Sequence, residues 1–106
     1  MNWIALIIAG IFEIGWPLGL KMSQQAESNK LLWIFVAIIS MSISGGLLWY
    51  SQKTIPIGTA YAVWTSLGAV GTLIVGIIFF GDSSSIYKLL SASLIVIGII
   101  GLKMAQ

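Results

Sequence analysis

Four long apolar runs, separated by short polar breaks, divide the chain. They extend over roughly Asn2–Lys21, Leu31–Tyr50, Ile55–Phe80 and Ile86–Lys103. About 20 apolar residues rising 1.5 Å each cross a hydrocarbon core of roughly 30 Å, so each run predicts one membrane-spanning helix. The alternating apolar and polar positions of a barrel strand are absent. Inside a bilayer every backbone N–H and C=O must bond within its own segment, which selects helices. The fold class expected is therefore an all-α membrane protein, with residues 1–106 forming a single four-helix transmembrane domain. The joints Met22–Lys30, Ser51–Thr54 and Gly81–Ser85 are short and make successive helices antiparallel neighbours. Thr54 ahead of Ile55-Pro56 reads as a cap followed by a proline in the first turn of the third helix. Asp82-Ser83-Ser84-Ser85 offers caps for the fourth. The first run lacks a basic leader and carries Glu13 within it, so it is expected to be a retained helix rather than a signal peptide.

Composition narrows the function. The chain is 58% hydrophobic and 8% charged, with a mean hydropathy of +1.05. A soluble domain carries roughly 25% charged residues, so a soluble globule is excluded. There is no Cys and no His. That removes disulfides, zinc sites, Ser-His-Asp triads and haem ligation, and no cofactor or metal is expected. A net charge of +2 is too sparse for binding nucleic acid. One deep carboxylate with no metal cluster leaves too little equipment for an enzyme.

The lysines bear on orientation. Lys53 and Lys103 fall on the N-terminal side of the membrane, and Lys21, Lys30 and Lys88 on the other. Three against two gives almost no bias, and the positive-inside rule needs a bias to fix topology. Copies inserted both ways and paired head to tail would supply the inverted symmetry that larger transporters build from two repeats.

Glu13 is the ionisable residue deep in an apolar run, eleven residues after Asn2 and eight before Lys21. A charged acid near the bilayer centre costs roughly 2.5–3.5 kcal/mol on insertion scales, so such a residue is rare unless something uses it. Desolvation penalises the charged form, which poises the side chain to exchange a proton or hold a cation. Trp16, three residues on, shares its face and can donate to the carboxylate. Pro17 has no N–H for the Glu13 carbonyl, which is left free where a kink is expected. In the second run, Ser44 belongs to a serine stripe able to bond across helices. In the third, Tyr61, Thr65, Gly68 and Thr72 share a face with Trp64 on its flank. Aromatic faces attract cations, and Gly68 is a candidate point of bending. Ser91 and Gly98 lie on or near one small-residue stripe of the fourth run, the expected dimer contact.

Four spans, the lone Glu13 and the run Ile55-Pro56-Ile57-Gly58-Thr59-Ala60-Tyr61-Ala62-Val63-Trp64 together resemble the small multidrug resistance family over nearly the whole chain. Phe12-Glu13 with Trp16, and the closing Gly98-Ile-Ile-Gly-Leu-Lys103, resemble its guanidinium-exporter branch. The resemblance implies an antiparallel, dual-topology homodimer in the bacterial inner membrane that exchanges protons for small guanidinyl cations by alternating access. Carried over, Glu13 is the shared proton and substrate site, and Trp16, Ser44, Tyr61 and Trp64 orient or contact it. Lys103 matches a lysine that ends the family's last helix. The chain departs from the family pattern at Pro17, at Gly45-Gly46 and at Ser66.

Two other functions stay open on sequence alone. Export of quaternary ammonium or polyaromatic drug cations would use the volume that Gly45-Gly46 leaves, and the chain could be one subunit of a heterodimeric pair. A structural subunit of a larger membrane complex, with Glu13 as packing glue, is the reading from a different class.

Overall fold

A computed structural model describes residues 2–105 and folds them into four helices: α1 (Asn2–Gln25), α2 (Lys30–Ser51), α3 (Ile57–Phe79) and α4 (Ile86–Ala105). All four are long and apolar enough to cross a membrane, and no strand occurs among the described residues. Three helices, α1, α2 and α4, outrun their apolar stretches, α1 by the most. Met22, Ser23, Gln24 and Gln25 continue α1 past Lys21, because long polar side chains sit as well in a helix as apolar ones do.

The start of α3 differs from the expectation. Pro56 is the N-cap, with φ −53° and ψ 142°, and the helix begins at Ile57. Proline disfavours the helical region for the residue before it, which keeps Ile55 outside the helix. Ile55 is instead buried in the core. Thr54 does not cap α3. Its hydroxyl accepts from the Asn2 side-chain amide, and its N–H reaches the Ser51 carbonyl at 3.4 Å. It thus ties the second joint to the beginning of α1.

Register follows from the close approaches. Between α1 and α2, Asn2 meets Ser51, Ala9 meets Ser44 and Gly19 meets Ala37, so the pair is antiparallel. Between α1 and α3, Gly10 meets Leu67, Glu13 meets Gly68 and Ile14 meets Gly71, so these two run parallel. Glycines make this possible: a Cβ on Gly10 would come within 2.6 Å of the Leu67 Cβ, and one on Gly19 within 2.9 Å of the Trp33 carbonyl oxygen. Without an apolar driving force between helices in lipid, such backbone approach is what binds them. Leu6, Ile55, Ala60 and Val63 form the buried core, with Ile99 and Leu102 of α4 packed on its edge. α4 packs mainly on α3 and has no buried residue. The four helices form a slab of 46 × 34 × 17 Å with apolar side chains such as Phe35, Ile38, Phe79 and Leu94 facing outward.

Candidate cation site

Glu13 sits on the side of α1 that faces α3. Its side chain lies over Gly68, where a Cβ would collide with the Glu13 Cγ. Gly68, the candidate point of bending, lies within the continuous helix α3, and its missing side chain is the seat of the glutamate. Trp16 donates from Nε1 to the Glu13 Oε1 at 2.8 Å, as the spacing of three on one helix allows. Glu13 also lines a groove of about 500 Å³ between α1 and α3, together with Trp16, Pro17, Thr65, Gly68, Thr72 and Asp82.

The backbone under Glu13 is altered on both sides. In an α-helix the Glu13 N–H bonds to the Ala9 carbonyl and the Glu13 carbonyl awaits the N–H of residue 17. Residue 17 is proline, so that carbonyl lacks its ordinary donor four residues on. α1 nonetheless runs unbroken through Pro17. The Ala9 carbonyl takes a second bond, from the Ser44 hydroxyl at 2.7 Å.

Ser44, expected to orient or contact Glu13, bonds to other groups in this structure. Its one proton goes to Ala9, and its oxygen accepts from Trp64 Nε1 at 2.7 Å. Ser44 is fully buried, and a fully buried hydroxyl needs such partners. Ser44 and Trp64 therefore form a bridge from α3 through α2 to α1, one turn before Glu13, and neither bonds the carboxylate. Tyr61 joins this second pair through its ring, 5.6 Å from Trp64 and tilted by 51°. The other expected groups are elsewhere. Ser91 and Gly98 are exposed on α4, and nothing lies within 4 Å of a Cβ at Gly98.

Lys103, whose role the sequence left without a physical reason, places its ammonium 5.1 Å over the Trp3 ring and clasps the end of α4 to the start of α1. Lys53 likewise stands 4.7 Å over Trp49. Of the run Asp82-Ser83-Ser84-Ser85 that offered caps for α4, Asp82 turns to the end of α3. The fourth helix is capped by Ser85, whose hydroxyl accepts the Lys88 N–H at 3.3 Å. No group of three or more His, Cys, Asp or Glu able to hold a metal occurs among the described residues.

A carboxylate held by one indole and lining a groove can take a proton or a planar cation in the same place. Comparison with known proteins agrees with a transport role. The profile of the Small Multidrug Resistance protein family matches residues 1–103. A guanidinium exporter of Proteus vulgaris is 51% identical over 106 residues, all of both chains. One of Yersinia pestis is 49% identical, again over the full length of both. One of Salmonella typhimurium strain LT2 is 49% identical over 105 residues, 99% of this chain and 98% of that one.

Proposed function

The chain belongs to the Small Multidrug Resistance protein family, and on that premise we propose that it exports guanidinium or small guanidinyl cations in exchange for protons at Glu13. It is a multi-pass protein of the inner membrane and a transporter rather than an enzyme. Relatives about half identical over their full length carry the name guanidinium exporter, which supports the choice of cation.

The observation that carries the mechanism is the Glu13 carboxylate, bonded by Trp16 at 2.8 Å and otherwise open to the α1–α3 groove. Guanidinium is planar, weakly hydrated and able to donate to both carboxylate oxygens. A proton and this cation compete for one group, so binding either expels the other, and coupling needs no second ion site. Trp16 orients the carboxylate. Ser44 and Trp64 act one step removed, by fixing the turn of α1 that presents it, and Tyr61 backs Trp64. Alternating access is provided by an antiparallel homodimer of dual topology, in which the uncovered face of α4, with Ser91 and Gly98, meets its counterpart.

Transport of quaternary ammonium or aromatic cations is the second reading, and one observation favours it: Gly45 and Gly46 open on empty space on α2. The same experiment separates the two. The purified chain, alone in liposomes, should drive proton movement with guanidinium and far less with tetramethylammonium, which has no donors for a carboxylate. Equal transport of both ions would favour the second reading, and transport of neither would remove both.

A further inference from the structure

α1 and α3 run parallel, so their C-terminal ends lie together at one end of the bundle. A helix C-terminus carries roughly half a negative charge, and neither of these two has a basic residue in its last turn. Past the end of α3, Gly81 adopts a left-handed backbone (φ 70°) that reverses the chain. The Asp82 N–H thereby returns to the Gly76 carbonyl at 3.1 Å. Its carboxylate folds over Gly76, where a Cβ would strike Oδ2. A carboxylate at this end of a helix opposes the dipole, and capping of α4 does not require it, because Ser85 supplies the cap.

Position suggests what the charge does. Asp82 lines the groove that holds Glu13 and also a neighbouring one of about 280 Å³ that reaches Lys21. The two grooves share Pro17 and Thr72 as well, and so form one path from the end of the bundle to Glu13. We propose that Asp82 is an outer docking carboxylate for the transported cation, standing at the mouth of the path whose inner end is Glu13; this rests on Glu13 being the exchange site. Two helix C-termini and one carboxylate concentrate a small cation at that mouth before it passes inward, while Lys21 at the same mouth opposes it.

The test is guanidinium transport by the full chain in liposomes, measured against guanidinium concentration at low and high salt. Asp82→Asn keeps the size of the side chain and the backbone bond to Gly76 and removes the charge. At low salt its KM should rise about fivefold with the maximal rate unchanged, and at high salt the rise should shrink below about twofold, because screening removes attraction between exposed charges. Asp82→Glu should restore the parent KM, and Lys21→Gln should lower it by about half at low salt. An unchanged KM for Asp82→Asn, a rise that persists at high salt, or a fall in maximal rate alone would overturn the outer site. Should Asp82→Asn not fold, Lys21→Gln decides, and a KM that rises or stays the same overturns it. Glu13→Gln measured alongside separates the two claims. If it transports like the parent chain, the exchange site is wrong. If it is inactive and Asp82→Asn matches the parent chain, only the outer site is wrong.

Discussion

α1 and α4 are built from similar residues and end in different situations. Both are rich in Ile, Leu and Gly. On α1, a Cβ added at Gly10, Gly15 or Gly19 would run into Leu67, Ser40 or Ala37, and the helix is covered by α2 on one side and α3 on the other. On α4, a Cβ at Gly98 or Gly101 would meet nothing within 4 Å, and no residue is buried. Small residues in a membrane helix are sites of backbone approach. Those of α1 are used within the chain, and those of α4 contact nothing within it. The carboxylate proposed as the exchange site lies on the covered helix, and the uncovered helix is the surface on which the proposed second copy would pack.

The largest effect should come from breaking the proposed pairing of two oppositely inserted copies. Two extra lysines in the joint Ser51–Thr54 should fix every copy in one orientation. Transport by that chain alone should fall to background, and co-expression with a chain biased the other way should restore it. Full activity of the lysine-loaded chain by itself would rule out the antiparallel dimer.

The contrast between the two helices is sharpened by one glycine from each environment. Gly68→Val would push the Glu13 side chain off its seat, and displacing a reacting group by about 1 Å costs roughly 100-fold in rate. Gly98→Val meets no atom of its own subunit, so helicity should be retained while cross-linking between copies is lost. If Gly98→Val unfolds the subunit, or Gly68→Val transports normally, the assignment of the two surfaces is reversed.

A smaller effect is expected at the bridge. Ser44→Ala would leave the Trp64 N–H without its acceptor, at a cost of about 1–3 kcal/mol for a buried donor left unsatisfied. Thermal or denaturant unfolding in detergent should show that loss, and guanidinium affinity should fall less than in Trp16→Phe, which breaks the direct bond. A larger loss of affinity in Ser44→Ala would return Ser44 to the carboxylate itself. The smallest effect belongs to Gly45→Phe with Gly46→Tyr. Both positions face open space, so guanidinium transport should stay within about twofold, as for surface changes generally, while cations bearing a hydrophobic tail should be lost.

Much of this was legible in the residues. The four spans follow from hydropathy, and the Glu13–Trp16 bond follows from a spacing of three on one helix. Helix ends were less legible. Met22–Gln25 shows no apolar signal yet prolongs α1, and Thr54-Ile55-Pro56 contains a cap-like residue whose side chain is taken by Asn2 instead. The partners of Ser44 and the seat that Gly68 provides depend on the register between helices, which no local pattern encodes. Gly81 was the one sign of the turn that carries Asp82 back to α3, since glycine alone adopts φ 70° at little cost.

Proton release from the detergent-solubilised chain on addition of guanidinium tests most directly whether Glu13 is shared by both ions. Guanidinium added to weakly buffered protein should release protons, up to one for each Glu13 it occupies, and its apparent Kd should increase as the pH is lowered, because protons then hold the same carboxylate. Glu13→Gln should release none. Release of the same size from Glu13→Gln, or guanidinium binding independent of pH in the parent chain, would contradict a shared site.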